Sequence, residues 1–443
     1  MSRIIYFLLP ILFLAQHVVL SQSKEQTAKF EQYLKPYVDS RSFSGQILIS
    51  QKGKILFNKA YGYANLEFSV PNDVNTEFHI MSITKSFTAA AILILEQREL
   101  LTTEDPVSKY VPDYPQGNKI TIHHLLSHTS GIPDINDLPE YKIGKLQHQT
   151  PATLMEMYKN KPLEFQPGED YQYSNSNYSF LAFIVERLSK KTFGEFLKEN
   201  IFIPVGMTHT LHHDDMSQVI PKLADGYVPD GHFGLQKTPY LDWTSKTGSG
   251  TVISTAEDLN KWNVALLGTS ILSDASKKKM FTEYKQAGYG WYLGKQNDRN
   301  YIFMNGLTSG FSAHIGRYPE EEVCVIVLSN YFVYISKQMA LDLAGIVFNK
   351  PVDVPAFSRK LTDDESKQIV GRYQFGKDFY KKDYVLEVKI DEGKVVANYG
   401  EFIPNKPFEF LERPYGGKVK FVKDASGRVD AVTIDGVRGE KLE

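Results

Sequence analysis

Ser82 and Lys85 are the residues of this chain whose types and spacing best suit nucleophilic chemistry. A serine hydroxyl is a weak nucleophile near neutral pH and needs a base at hydrogen-bond distance. Three residues apart on a helix, the two side chains share a face, so the Lys85 amine can reach the Ser82 oxygen. The segment that follows carries Phe87, Ala90, Ala91 and Ile94 at i, i+3, i+4, i+7 spacing, which predicts an apolar helix. Ser82 then stands at its N-terminus, where backbone N–H groups and the helix dipole favour developing negative charge. The spacing alone has little specificity, because Ser21/Lys24 and Ser276/Lys279 repeat it. Those copies lie at an apolar leader and in the Lys-rich run Ser276-Lys277-Lys278-Lys279, which reads as a solvated helix turn.

A second group lies at Phe165-Gln166-Pro167-Gly168, followed by Tyr173-Ser174-Asn175. Pro167-Gly168 sets a turn, and a helix is expected from near Asn177, with Leu181, Ile184, Val185 and Leu188 on one face. Tyr173 and Asn175 are therefore expected on a loop just before a helix, placed to enter a cleft. The other Tyr-x-Asn copies, Tyr63/Asn65 and Tyr158/Asn160, lack that context. A third group is Met304-Asn305-Gly306-Leu307-Thr308-Ser309-Gly310-Phe311, between apolar strand patterns. Its glycines suggest close backbone approach, and a strand edge there could hold an extended substrate and donate a backbone N–H to an oxyanion.

These groups need elements to position them. The 443 residues allow one to three domains, and 42 % apolar content with 13 % aromatics suits a sizeable core. Helix is expected over Lys24 to Arg41, strands over Phe43 to Ala64 and Tyr301 to Asn330, mainly helix and loop between, and a further helix from Tyr334 to Phe348. Antiparallel strands at both ends of a helical stretch imply an α+β fold, a sheet flanked by helices with a helical insert. Pro351 and Pro355 mark a linker over 349–360, after which residues 361–443 alternate as a small all-β, barrel-like domain: Leu386, Val388 and Ile390, then Val419 and Phe421, then Val429 and Ala431.

The N-terminus reads as a signal peptide over residues 1–21. Arg3 precedes an apolar stretch, Ile4 to Ala15, too short to span a bilayer, and Val19 and Ser21 are small residues at a cleavage point. An exported protein, periplasmic or secreted, with no membrane span after signal removal, is expected. A net charge of −2 gives no electrostatic case for nucleic acid or an anionic membrane. Cys324, the sole cysteine, sits in the strand pattern Val323 to Leu328 and reads as a buried core residue. The 11 histidines show no ligand spacing, so neither metal nor other cofactor is expected. His128 reads as a residue that ties its loop down, Trp262 as core, and His123, His124, His212 and His213 as surface or loop residues.

Ser82-x-x-Lys85, then Tyr173-Ser174-Asn175, then a Gly-rich strand, in that order, resemble the serine β-lactamase and penicillin-binding protein superfamily. The class C β-lactamase-like group, with its esterases and D,D-peptidases, is the nearest in pattern. His124 to Pro133, Pro204 to Thr210 and Ser254 to Leu259 resemble loops of the same group, and the likeness spans roughly residues 25 to 348, within a hydrolase domain of 24–348. The resemblance implies Ser82 as acyl-accepting nucleophile and Lys85 with Tyr173 as the proton-transfer pair. It also implies Asn175 as a substrate ligand, substrate binding along Asn305, Gly306 and Leu307, and an oxyanion hole from the N–H groups of Ser82 and Leu307. The substrate would be a small ester, amide or peptide. A neutral Lys85 near pH 7 costs about 4 kcal/mol relative to water. A charged Lys85 would ease ionisation of Tyr173, so the base is left open between the two. The family's Lys-Thr-Gly falls on Met304-Asn305-Gly306, and Met304 cannot hold a carboxylate. That argues against efficient β-lactam hydrolysis or D-Ala-D-Ala trimming and for neutral substrates. Lys246-Thr247-Gly248 reads as a decoy that at most rims the cleft, ahead of a helix with a Ser254/Glu257 capping box.

Overall fold

Val323-Cys324-Val325-Ile326-Val327-Leu328 has no polar alternation, as a strand covered on both faces requires. In a computed structural model it is the strand β6 of a six-stranded antiparallel sheet. The structure describes residues 8–229, 235–308, 310–333, 335–357, 359–376, 384–398, 400–412 and 417–442. The strands are β1 (Gly45–Gln51), β2 (Lys54–Tyr61), β3 (Tyr292–Gln296), β4 (Arg299–Thr308), β5 (Phe311–Tyr318) and β6 (Val323–Ser329), in the spatial order β3-β4-β5-β6-β1-β2. The chain's first hairpin thus pairs with its late strands, Ile47 facing Val327. The edge strand β3 escaped the sequence reading because its burial is patchy and does not alternate.

The helices that bear on the site are α1 (Leu8–Asp39), α2 (Thr84–Gln97), α3 (Asn175–Ser189), α4 (Ala256–Ala265) and α5 (Ile335–Val347). Alternation along the strands divides the core. Leu48, Ile315, Cys324, Ile326 and Leu328 belong to the core that includes α2 and α3. Ile47, Ile49, Val325 and Val327 pack with Phe30 and Tyr33 of α1 and Met339 and Leu343 of α5. Cys324 is fully buried, and desolvation pushes its thiol up to about 12. The expected apolar helix is α2, buried all round from Thr84 to Leu95. Its Ala89-Ala90-Ala91 run lets neighbours approach on every side.

α1 begins at Leu8, upstream of the expected Lys24. Residues 1–7 of the expected leader lie outside the described residues. α3 begins at Asn175 rather than near Asn177. α4 is capped by Thr255, whose side chain accepts from the Asp258 N–H, and not by Ser254/Glu257, since Ser254 ends a short strand. His212 and His213 are buried rather than on the surface. Beyond α5, a capped helix α6 (Asp363–Ile369) leads into eight antiparallel strands, from Gly371–Phe375 to Val437–Leu442, closed as a barrel when the first pairs with the last. Closure removes the free edges that a small sheet would expose.

Two backbone features bring the sheet to the turn Met81–Ile83 that precedes α2. Met81 holds φ +47°, a costly conformation for a non-glycine residue. On β4, a Cβ at Gly306 would stand 2.3 Å from the Ile80 carbonyl oxygen. Gly306→Ala must therefore push β4 off the turn, with an expected loss of about 1–3 kcal/mol and of activity. Gly294→Ala on β3, where a Cβ would meet nothing within 4 Å, should change neither; thermal unfolding and ester turnover of both variants check this.

On β5, His314 is fully buried, and burial first, then the Lys337 charge, push its imidazole down to about 3. A histidine depressed in the fold stabilises the native state above its unfolded value near 6.5, and that contribution is lost as pH falls towards 3. The melting temperature should drop between pH 7 and pH 4, with a shallower slope in His314→Gln.

Candidate active site

Ser82 sits in the turn that leads into α2, and Lys85 is one helical turn further on. The Lys85 Nζ lies 3.1 Å from Ser82 Oγ, and the Tyr173 hydroxyl donates to the same oxygen at 2.9 Å. Lys85 is 0 % exposed. It also donates to Asn175 Oδ1 and to the Ser249 carbonyl, both at 2.9 Å, and lies 4.9 Å from the Tyr173 ring centroid. These partners are a hydroxyl, an amide oxygen and a peptide carbonyl, none of them charged. Burial therefore holds Lys85 well below the usual ammonium range, with Asp134 opposing and the Lys246 charge adding to the depression.

Tyr173 behaves differently from the sequence expectation. Desolvation first, then Tyr292, push its phenol well above the ordinary value, and its bond to Ser82 is the main opposing influence. Desolvation dominates over any help from the Lys85 amine, so the phenol keeps its proton. The His128 ring packs against the Tyr173 ring, centroids 4.5 Å apart and tilted by 31°, and His128 accepts the Ser174 N–H at Nδ1, 3.2 Å away. Burial and the Lys85 charge push His128 down to about 3, so it is a neutral support that ties the Tyr173 loop down.

Asn175, the first residue of α3, links two groups. Its Oδ1 accepts from Lys85, and its Nδ2 donates to Asp134 Oδ1 at 3.2 Å and Oδ2 at 3.0 Å. Its backbone N–H also donates to Asp134 Oδ1 at 3.2 Å. In this arrangement the Asn175 side chain holds Lys85 and also lines the cleft described below. Asp134 was missed in the sequence, although it directly follows the singled-out stretch His124 to Pro133. Its signal was local: an Asp whose side chain caps the short turn Ile135–Asp137 by accepting from the Asn136 N–H.

The third group is only partly brought in. β3 pairs with β4 no further than Tyr292↔Phe303, so residues 304–308 have an unpaired side near the Ser82 turn. Leu307 lines a cleft of about 250 Å³ together with Ser82, Tyr173, Asn175, Trp243 and Lys246. Gly306 allows the close approach described above. Met304 is buried at 2 % exposure, in the core. Asn305 is not in the cleft: its Oδ1 lies 2.6 Å from His314 Nδ1, because strand alternation turns it to the opposite side of the sheet. Lys246, read as a decoy, proves to be a wall of the cleft. No cluster of three or more His, Cys, Asp or Glu side chains that could hold a metal is found among the described residues.

Comparison with known proteins gives this geometry a family. A family model described as Beta-lactamase matches residues 30–344. Penicillin-binding protein 4* of Bacillus subtilis is 32 % identical over 345 residues, covering 72 % of this chain and 75 % of that one. Among solved structures, a penicillin-binding protein from Bacillus halodurans superposes with TM-score 0.63 at 28 % identity, over 71 % of this chain and 98 % of its own. An octameric penicillin-binding protein homologue from Pyrococcus abyssi gives 0.70 at 25 % identity, over 94 % and 100 %. A D-amino acid amidase from Ochrobactrum anthropi shares the fold, with TM-score 0.64 at 20 % identity over 72 % of this chain and 98 % of its own. The chain belongs to the β-lactamase family, within the superfamily of serine β-lactamases and penicillin-binding proteins.

Proposed function

We propose that the protein is an exported serine hydrolase of the class C β-lactamase-like group, which cleaves an ester or amide bond through an acyl-enzyme on Ser82. The observation that carries this reading is one oxygen, Ser82 Oγ, within hydrogen-bond distance of both the buried Lys85 amine and the Tyr173 phenol. Burial favours the neutral form of each, so the lone pair that can take a proton belongs to Lys85 and the acid that can give one is Tyr173.

In the proposed cycle, Lys85 Nζ takes the Ser82 proton as Oγ attacks the carbonyl carbon. The carbonyl electrons move onto its oxygen, which the N–H groups of Ser82 and Leu307 stabilise. On collapse, the leaving group departs with the Tyr173 proton, and the Lys85 ammonium returns a proton to Tyr173. The product is an ester on Ser82. Water then repeats the sequence: its oxygen bonds to the acyl carbon as its proton goes to Lys85, the acyl–Oγ bond breaks as Oγ takes the Tyr173 proton, and the Lys85 ammonium returns a proton to Tyr173. Asn175, anchored by Asp134, keeps Nζ aimed at Oγ and is available as a further contact for substrate beside Gly306 and Leu307.

Export is supported by Arg3, the apolar stretch Ile4 to Ala15 and small residues at Val19 and Ser21. No helix among the described residues is long and apolar enough to cross a membrane. A second reading, β-lactamase or D,D-carboxypeptidase acting on cell-wall peptides, is favoured by the penicillin-binding names of the relatives. It predicts a penicilloyl adduct on Ser82 or β-lactam turnover.

Hydrolysis of p-nitrophenyl butyrate by the mature protein and Ser82→Ala is the test. Turnover should fall by about 10³-fold or more in Ser82→Ala, and by about 10²-fold or more in Tyr173→Phe. Equal turnover in wild type and Ser82→Ala would refute the nucleophile. No turnover in either, and no adduct with a serine-directed fluorophosphonate, would favour a silent penicillin-binding-like sensor.

The acid limb of kcat/KM should follow Lys85, with activity rising as the ammonium loses its proton at a pH well below 10.5. Asp134 favours the ammonium, so Asp134→Asn should move that limb to lower pH. A limb that stays in place would contradict the electrostatic link.

A further inference from the structure

We infer that Lys246 is the specificity residue of this cleft, the cation that receives a carboxylate on the substrate and sets it relative to Ser82. The inference rests on the Ser82 hydrolase reading and names its substrate class: an ester or amide carrying a free carboxylate.

Lys246 ends the short turn Trp243–Lys246 and lines the same cleft as Ser82, Tyr173 and Leu307. The backbone around it is fixed from several sides. Gly248 holds φ +78°, and a Cβ there would stand 2.2 Å from the Tyr178 carbonyl oxygen. Thr88 Oγ1 donates to the Gly248 carbonyl at 2.6 Å, and Tyr141 OH donates to the Ser245 carbonyl at 3.1 Å. Lys85 itself donates to the Ser249 carbonyl at 2.9 Å. The segment that carries the catalytic amine's support thus carries Lys246 too, and sets its Cα at a fixed place relative to Ser82.

The side chain remains free to serve. Its Nζ lies 4.9 Å from the Tyr141 ring centroid and donates to Asn136 Oδ1 at 2.7 Å. That acceptor is a neutral amide on an exposed residue. Asp134, the nearby carboxylate, is already engaged: it accepts from the Asn136 N–H at 3.1 Å and from Asn136 Nδ2 at 3.4 Å, besides its bonds from Asn175. Among the described residues Lys246 forms no ion pair, so one ammonium faces a cleft whose other walls are neutral. Lys246 is the one charged side chain on the described lining, with the Asp134 carboxylate held behind Asn175 by amide donors. Position 304 cannot supply this function, since Met304 is apolar and buried. The cation of this cleft comes instead from the turn opposite β4.

Matched ester pairs test this. On the leaving-group side, 4-carboxyphenyl butyrate is compared with its 4-methoxycarbonyl counterpart. On the acyl side, 4-nitrophenyl hemisuccinate is compared with 4-nitrophenyl methyl succinate. In at least one pair the wild type should favour the charged ester, mainly through KM, and the preference should shrink as NaCl is raised. Lys246→Gln should lower the charged-to-neutral ratio of kcat/KM by about tenfold or more, and Lys246→Arg should restore it. Each variant corrects for intrinsic reactivity, because the same two esters are compared. A ratio unmoved by Lys246→Gln in both pairs overturns the proposal. If the neutral esters still depend on Ser82 in that case, the hydrolase reading survives and only the Lys246 assignment fails. If the neutral esters turn over equally in Ser82→Ala, or not at all, both fall.

Discussion

An amine removed from water beside a hydroxyl is the constraint on which the structure turns. Among the described residues Lys85 has no charged hydrogen-bond partner, and its Nζ is aimed by Ser82, Asn175 and the Ser249 carbonyl. Such a site exists only if α2 is enclosed on all sides, which explains a central helix with small and hydroxylated residues among its apolar ones. Ser86 receives the Trp262 indole N–H at 3.2 Å and Thr88 bonds the Gly248 carbonyl, so the polar groups of α2 cost little to bury. The strained Met81 and the glycine at 306 are further consequences, because the nucleophile turn and β4 must meet without a side chain between them.

The support is layered. Asp134 fixes Asn175, which fixes Lys85; His128 fixes the Ser174 backbone and packs on Tyr173. These supports act on orientation, and their charges act on ionisation. Asp134 favours the ammonium while burial and Lys246 favour the amine. The geometry therefore couples the wall that would meet the substrate to the base that would attack it. The C-terminal barrel stands apart from this chemistry. Its Ile403 joins the core formed by α1 and α5, on the opposite side of the sheet from α2, and none of the described cleft residues comes from the barrel.

Much of the site was legible because its parts are local. Ser82 and Lys85 share one helix turn, Tyr173 precedes another helix, and the glycines of β4 announce close approach. The α+β architecture followed from strand patterns at both ends of a helical stretch. What was not legible depends on tertiary contact. Asn305 looked like a cleft residue until strand alternation placed it against His314. Asp134 carries only a local turn-capping signal, and its importance arises where its loop meets α3. Lys246 was discounted because it does not lie on a strand, yet the fold delivers that turn to the cleft. The rise in the Tyr173 phenol is equally a property of enclosure, which spacing cannot convey.

Lys85 ionisation itself is the most direct test of this account. Lysine labelled with ¹³C at Cε and assigned by comparison with Lys85→Arg allows its titration to be followed by NMR in the folded protein. The Lys85 signal should titrate well below 10.5. A Lys85 signal that titrates at 10.5 or above would contradict this account, because the amine would then be protonated at neutral pH and unable to act as the base for Ser82.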